Sequence, residues 1–540
     1  MDRALKQIIT ESTPAFNPLI ASGIVTHQMR GADSYVDDVW RCAAADWPES
    51  VQYLGLVRCT PEEQYNFAAS KRHGKHQFEM ARSDVFLVKC RIKYNDRIME
   101  PHLYIPAPEK GGTIHLRGPC HTILPVLADM ALSVTKNGVY MPFSRTKLTY
   151  ERLSHSFFAN GISASAYVVW SAIHAYALKE SGKNGVYTTL SHYLFCKHGV
   201  KETFRLYAKA NDGSGAPCHI HLVGPETAVG EFPEKDWVVC TSNGIAPKAV
   251  RGKNARRYYT PSKVKLVVPR THWNDLTANL VAGFFYMVDN YPDRLSVEYC
   301  DEVRVWRTLL GLIIFRDDQR EGKVYENVMV HMDSLDAYVD TIVKKNLAEV
   351  GIYVETTYEF FAYIIEYISE WIMSSNLASM YGKRLVTLRY VLSDIVESIF
   401  KFTFRIKNDN RRQLNERRLA LALSKFIKPE LIFRLSRGHG EVSVVSSPGD
   451  NTMFRFHGAL VLQSSATGRG PKSKPAIGDQ SKLLHSSIAE IASYPNLPKA
   501  DPSGRERLNP CAHVQEDGRV LRNPEHQPVL DKIQRLIERD

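Results

Sequence analysis

Near residue 303 the periodicity of the chain changes, and no fold of a single class accommodates both patterns. Before that point apolar residues come in short alternating or continuous runs: VFLVKCRIKY (85–94), HLYIPAP (102–108), GGTIHLRG (111–118) and KVKLVVP (263–269). Each has strand length, and Pro and Gly punctuate the intervals. One helix is expected among them, over AYVVWSAIHAYALKE (166–180). After residue 303 the spacing turns helical in VRVWRTLLGLIIF, SLDAYVDTIVKKNLAEV and TTYEFFAYIIEYISEWIM. In MYGKRLVTLRYVLSDIVESIFKFTF (380–404), Leu385, Leu388, Leu392, Ile395 and Ile399 recur three or four apart, which predicts one buried helical stripe. The class expected is α+β. A chain of 540 residues exceeds one ordinary core and predicts roughly three to four packed units.

Composition narrows the environment. With 44% hydrophobic and 24% charged residues the chain is expected to fold rather than remain disordered. The greasiest window, FFAYIIEYISEWIM (360–373), is interrupted by Glu366 and Glu370 and reads as a buried helix, not a membrane span. Nine scattered cysteines without a CxxC pair fit a reducing compartment better than a disulfide framework or a zinc ribbon.

The charge is more specific. Residues 401–440 hold eleven Lys/Arg against three acids, and RGKNARRYYTPSKVKLVVPR (251–270) holds seven bases and no acid. Surpluses of eight and seven exceed the +11 of the whole chain, so the basicity is confined to these two places. Concentrated like charge repels itself unless a polyanion approaches, and nucleic acid is the commonest such partner. The alternative is a solvated basic face with no partner. Tyr258 and Tyr259 beside Arg256 and Arg257 suit base stacking, and equally a strand core. Lys383 and Arg384 fall at the predicted start of the 385–399 helix, where cations oppose the positive end of the dipole. His439 lies between glycines beside Arg437, in a segment where backbone can come close to a ligand. SRGHGEVSVVSSPGDNTMFRFHG and SSATGRGPKSKPAIGD (464–479) read as loops, and DKIQRLIERD as a final short helix.

Catalytic constellations are scarce. The sequence contains no GxxxxGK[ST], HExxH or GxSxG, and no run of aspartates of the kind that holds paired magnesium ions. Cys218, His219 and His221 form a CHIH cluster that lacks a fourth ligand at recognisable spacing, so a structural role is preferred. Asp37 and Asp38 are adjacent and, on a strand, would point to opposite faces.

Three stretches carry a family likeness. MYGKRLVTLRYVLSDIVESIFKFTF (380–404) resembles the Gly-Lys-Arg-Leu helix of the second-largest, β-type subunit of multisubunit DNA-directed RNA polymerases. IKPELIFRLSRGHGE (427–441) is similar to the glycine-bearing turn that follows it. LHSSIAEIASYPNLPKADPSGRERLNP (484–510) resembles the His-containing segment and the Cys-Pro-x-Glu-Thr-Pro-Glu-Gly motif. Pro498, Asp501, Pro502 and Gly504 stand where the family has Pro, Thr, Pro and Gly. Leu497, Ala500 and Ser503 depart from Cys, Glu and Glu, and Glu490 takes the place of a usual glycine. GGTIHLRGPCHTILPVL (111–127) resembles a strand and turn of the protrusion.

The resemblance implies the N-terminal half of a β-type subunit, split as in polymerases of large bacteriophages. It divides the chain into a protrusion-like part (1–155), a lobe-like insertion (156–302), a helical return (303–405), a fork-like basic region (406–515) and a tail toward a partner (516–540). The chain would be a non-catalytic subunit of a nucleotidyltransferase, inactive alone, that helps hold downstream DNA and the RNA–DNA hybrid. Nucleic-acid contacts are expected at Lys383, Arg384, Arg411, Arg412, Arg417, Arg418, Arg437, His439, Arg455, Arg469, Lys472, Lys474, Arg505 and Arg507, and at Arg256 and Arg257. No cofactor is expected on this chain, and Mg2+ belongs to the partner active site. Partners would be C-terminal β-like and β′-like chains with DNA and RNA, and no membrane. The setting would be the cytoplasm of an infected bacterium, or the virion. Rival readings are a stand-alone nucleic-acid-binding protein in phage replication or packaging, and a metal-dependent nuclease using CHIH.

Overall fold

A computed structural model describes residues 16–70, 81–134, 138–171, 188–227, 229–243, 264–292, 294–314, 321–374, 379–410, 414–437, 444–446, 461–464, 485, 487–492, 505–525, 528, 532 and 535. The chain forms two compact units: residues 1–130 with 376–540, and residues 131–375. The α+β, multidomain class expected from the two periodicities is what is found. Among the described residues no helix is long and apolar enough to cross a membrane.

The first leg of the discontinuous unit opens with α1 (Pro18–Ser22), α2 (Ile24–Met29) and α3 (Ala32–Ala44). Asn17 accepts the Leu19 N–H as an N-cap, while its amide donates to the carbonyls of Ala512 and Val514, both at 3.1 Å. One side chain thereby starts a helix and ties the two legs of the unit together. On α3, Val36, Val39, Trp40 and Ala43 form the buried stripe. Trp40 stacks on Tyr53, ring centroids 5.6 Å apart, and meets Trp47 and Phe402 edge-on. Asp37 and Asp38 are therefore helical, not on a strand, and Asp37 accepts from the Tyr53 hydroxyl and the Arg41 guanidinium, each at 2.7 Å. A meander follows of β1 (Val51–Arg58), β2 (Val85–Tyr94), β3 (Arg97–Met99) and β4 (His102–Pro106), with β2 between β1 on one side and β3 and β4 on the other. The leg ends in β5 (Thr113–His115), β6 (Cys120–Ile123) and β7 (Val126–Ala128).

Among the described residues the second unit is built on an eight-stranded sheet. It runs through β8 (Ser133–Val134), β9 (Gly138–Pro142), β10 (Lys147–Ala159), β11 (Ile162–Ser171), β12 (Thr188–Thr189), β13 (His221–Val223), β14 (Trp237–Ser242) and β15 (Lys265–Pro269). The helix expected over 166–180 is corrected here: through Ser171 the backbone is the second arm of the β10–β11 hairpin, and 172–180 lie outside the described residues. Asn160 and Gly161 make the two-residue turn with φ of +48° and +75°, the geometry that Asn-Gly favours and that matches the twist of paired strands. Helices α4 (Leu190–His198), α5 (Asp275–Asn290) and α9 (Thr357–Ser374) pack against the sheet, and α6 (Val303–Ile314), α7 (Glu321–Asp336) and α8 (Thr341–Ala348) contribute to the same core. On α9, Phe360, Phe361, Ile364, Ile365 and Ile368 are buried, as the sequence predicts for that window.

His192 sits inside this core, its ring nitrogens 2.9 Å from the Thr188 hydroxyl and 3.0 Å from the Trp306 carbonyl. Burial pulls its pKa down to about 4, against the opposing pull of the Trp306 carbonyl. The unfolded imidazole titrates near 6.5, so the unfolded chain takes the proton first. The stability this group contributes is complete above that pH and is lost as pH falls through the interval toward 4, about 3 kcal/mol in all. Between pH 7.5 and pH 5, His192→Gln is expected to lose about 2 kcal/mol less than wild type in denaturant titrations. Parallel pH profiles for the two proteins would refute the assignment.

On its return the chain adds β16 (Arg384–Val386), which pairs with β7, then α10 (Leu388–Val391), α11 (Ser393–Asn410), α12 (Glu416–Phe426) and a 3-10 stretch, Pro429–Arg437. The predicted 385–399 stripe is thus divided. Leu392, Ile395 and Ile399 are buried on or beside α11, whereas Leu385 is buried from a strand. Lys383 and Arg384 are not at a helix start, and the dipole argument does not apply to them. Phe402 closes the aromatic group around Trp40, and Trp47 donates to the Thr403 hydroxyl at 3.0 Å. Three later strands complete the unit: β17 (Val444–Ser446) on β6, β18 (Val461–Ser464) on β7, and β19 (Arg505–Arg507) on β18. A short helix, α13 (Ser487–Ile491), and a hairpin, β20 (His513–Val514) with β21 (Val520–Leu521), follow the same packing.

Candidate nucleic-acid interface

The sheet of order β16-β7-β18-β19 collects segments from four distant parts of the chain. Its register aligns Val386 with Val126, Val126 with Gln463, and Gln463 with Arg505, one residue per strand. Registered neighbours share a face, and so do residues two apart on a strand. Arg384 and Arg507, at opposite edges of the sheet, therefore belong to one face. Leu127 and Leu385 belong to the other, and both are buried.

The cations on and just before β16 are paired. The Arg384 guanidinium is 3.2 Å from the Asp517 carboxylate, which also takes Arg519 at 3.0 Å, and Lys383 stands 4.0 Å from Asp129. Gly518 donates no side chain at the crossing. Its carbonyl accepts the Leu385 N–H at 2.8 Å, and the Val520 N–H reaches the Lys383 carbonyl at 2.8 Å. The β20–β21 hairpin thus clamps the Gly-Lys-Arg-Leu segment from the side opposite β7. A phosphate approaching Arg384 would compete with Asp517 for the guanidinium.

Next to the clamp a second junction joins Met380–Tyr381 to α13. The Met380 N–H donates to the buried Ser487 hydroxyl at 2.9 Å. That hydroxyl lies 2.8 Å from His485 Nδ1, which also accepts the Ser487 N–H at 3.1 Å. An Nδ1 that accepts twice leaves the ring proton on Nε2. The His485 ring meets the Tyr381 ring edge-on at 6.0 Å. Glu490 accepts the Asn523 N–H at 3.2 Å, and its main-chain carbonyl accepts Asn509 at 3.0 Å. Burial, and then the hydrogen bond to the Glu490 carboxylate, push the Tyr381 phenol up to about 12. Glu490 accordingly has a bonding role.

The other basic residues are placed as follows. Arg417 and Arg418 lie exposed in the first turn of α12, behind an Asn415 cap that accepts the Arg418 N–H at 2.9 Å. Arg437 ends the 3-10 stretch, and Arg505 opens β19. Arg256, Arg257, Arg411, Arg412, His439, Arg455, Arg469, Lys472 and Lys474 lie outside the described residues, as do the 464–479 loop except Ser464, and nearly all of the final helix. CHIH is split by its strand-like alternation: Cys218 and Ile220 are buried, His219 and His221 exposed. Burial pushes the Cys218 thiol up to about 12, which disfavours the thiolate a metal would need. Among the described residues no group of three His, Cys, Asp or Glu could hold a metal ion.

What the arrangement offers chemically is cation presentation on a rigid frame. The sequence signal that could have located the clamp is Asp517-Gly518, a turn dipeptide between short β-like runs. Compared with known proteins, residues 2–535 match a family model described as a non-virion RNA polymerase subunit. No curated protein matches the chain.

Proposed function

Since the chain belongs to the non-virion RNA polymerase subunit family, and so works among the other subunits of an RNA polymerase, we propose that it is the N-terminal half of a split β-type subunit. On this reading it is non-catalytic and holds downstream DNA and the RNA–DNA hybrid by their phosphates, while base pairing reads the template. The observation that carries the reading is the meeting of segments that resemble the β-type family. Residues 380–386, 485–491 and 505–507, more than a hundred positions apart at their extremes, are joined by the Met380–Ser487 hydrogen bond, the Asn509–Glu490 hydrogen bond and one sheet. Local likeness alone would not require those stretches to converge.

The reaction needs Mg2+, and this reading assigns the metal to a β′-like partner, with a C-terminal β-like chain completing the subunit. The family's description as non-virion favours an enzyme acting in the infected cell over one carried in the particle. The test is affinity purification of the tagged chain from producing cells, with every companion sequenced. We expect a chain with an aspartate-rich magnesium loop and a separate C-terminal β-like chain. A companion that is itself a complete β-type subunit would overturn the half-subunit reading.

A further inference from the structure

The β5–β6 hairpin closes through residues 116–119, with the Leu116 N–H donating to the Pro119 carbonyl at 3.1 Å. Arg117 takes a left-handed backbone there, φ +55°, which glycine or asparagine adopts far more easily than arginine. The surrounding chain enforces it. The Arg117 N–H donates to the Ser83 hydroxyl at 3.0 Å and the Gly118 N–H to the Arg82 carbonyl at 2.9 Å. Leu116 is buried, whereas Arg117 is exposed. Strain held at an exposed residue gains nothing for the core, so what it fixes is the direction of the side chain.

That side chain is a cation without an anion. Its guanidinium carbon stands 4.7 Å from the centre of the Phe433 ring. Among the described residues it has no carboxylate or carbonyl partner. The carboxylates beside the turn are already taken: Asp84 lies 3.0 Å from Arg82 and 2.8 Å from His115 Nδ1, and Glu109 pairs with Arg82. A ring beneath a guanidinium holds it in place without using its N–H groups, and those groups match the oxygens of a phosphate bidentately.

Phe433 belongs to the 3-10 stretch that ends at Arg437, and β17, which starts seven residues after Arg437, pairs with β6 of the same hairpin. The hairpin thus meets both described ends of the glycine-bearing turn at which the sequence predicts nucleic-acid contacts. We infer that Arg117 is a further phosphate contact of the polymerase, brought to that turn by the first leg of the unit. It stands apart from both basic stretches, where a count of charges does not find it. The inference rests on the reading that this chain holds nucleic acid by its phosphates, and not on the half-subunit reading.

The test measures the affinity of the assembled polymerase for a DNA–RNA scaffold across a salt series, with subunit composition checked on each preparation. Arg117→Gln is expected to weaken binding roughly eight-fold at 0.1 M salt and to lower the slope of log affinity against log salt by about 0.9, the release due to one phosphate contact. Arg117→Lys should restore the slope, since counterion release follows charge. A wild-type slope in Arg117→Gln would overturn the inference. Equal losses in the glutamine and lysine variants would also overturn it, because they mark a residue that supports the turn. So would loss of a subunit from Arg117→Gln, since the cation would then face a protein carboxylate. The two readings fail separately. Glutamine at Arg411, Arg412, Arg417 and Arg418 tests the hold on phosphate without touching Arg117. A wild-type slope in both variants removes that reading as well, whereas a wild-type slope in Arg117→Gln alone removes only the contact at Arg117.

Discussion

Glutamine at Arg411, Arg412, Arg417 and Arg418 together is expected to loosen the hold of the polymerase on a DNA–RNA scaffold roughly a thousand-fold at 0.1 M salt. It is also expected to reduce the slope of log affinity against log salt by about three. Each cation bound to a phosphate releases most of one counterion, so four contacts account for about three units of slope. The affinity change follows from the same release between 1 M and 0.1 M salt. Of the four, Arg417 and Arg418 are exposed at the first turn of α12. The N-terminal end of the helix dipole is itself positive, so the backbone does not favour cations there. The slope is the decisive readout. A variant that merely lost a subunit would bind less scaffold with an unaltered salt dependence, so subunit composition is checked on the same preparation. If the four-fold variant keeps the wild-type slope, these arginines do not touch phosphate.

The elements that sequence periodicity located are those whose pattern is local. VFLVKCRIKY became β2 with Leu87, Val88, Cys90 and Ile92 buried, and VRVWRTLLGLIIF became α6 with Trp306, Leu309, Leu310 and Ile314 buried. AYVVWS failed because its apolar spacing suits either period. The decision came from the Asn160-Gly161 turn and from pairing with β10, which satisfies its backbone groups across the hairpin. Leu385 failed for a longer-range reason. It sits in phase with Leu392 and Ile395 on a helical count, yet its N–H is taken by Gly518 and its strand by β7, partners more than a hundred residues away. The same distance hid the pairing of Arg384 with Asp517. A count of charges sees a cation but not the carboxylate a fold brings to it. The local excess of bases around Arg417 and Arg418 was legible because it is contiguous in sequence, whereas the clamp around β16 was not, because it is assembled from three legs of chain.

That clamp has a sharp steric requirement. Gly518 has φ of +89°, and a Cβ placed on it would lie 2.2 Å from the Leu385 carbonyl oxygen and 2.8 Å from the Gln28 amide nitrogen. Gly382, at the start of the same segment, has φ of +76° with nothing within 4 Å of such a Cβ. The two glycines therefore separate backbone strain from collision. Gly382→Ala is expected to cost about 1 kcal/mol, the price of a left-handed conformation for alanine. Gly518→Ala incurs the same strain and in addition forces the hairpin off β16. That breaks the hydrogen bond from the Leu385 N–H to the Gly518 carbonyl, and it disturbs the one from Gln28 to the Leu385 carbonyl, 2.7 Å in the native chain. At about 1 kcal/mol per hydrogen bond, the local loss reaches about 3 kcal/mol. Hydrogen exchange at the Leu385 and Val520 amides reads it directly, with protection falling roughly a hundred-fold in Gly518→Ala and by ten-fold or less in Gly382→Ala. Equal protection in the two variants would mean that the hairpin does not close on β16. Since Lys383 and Arg384 take their positions from that strand, the Gly518 variant also separates two kinds of contribution: whatever those cations do in the polymerase should fail with it, while the salt slope expected of the arginines on α12 should persist.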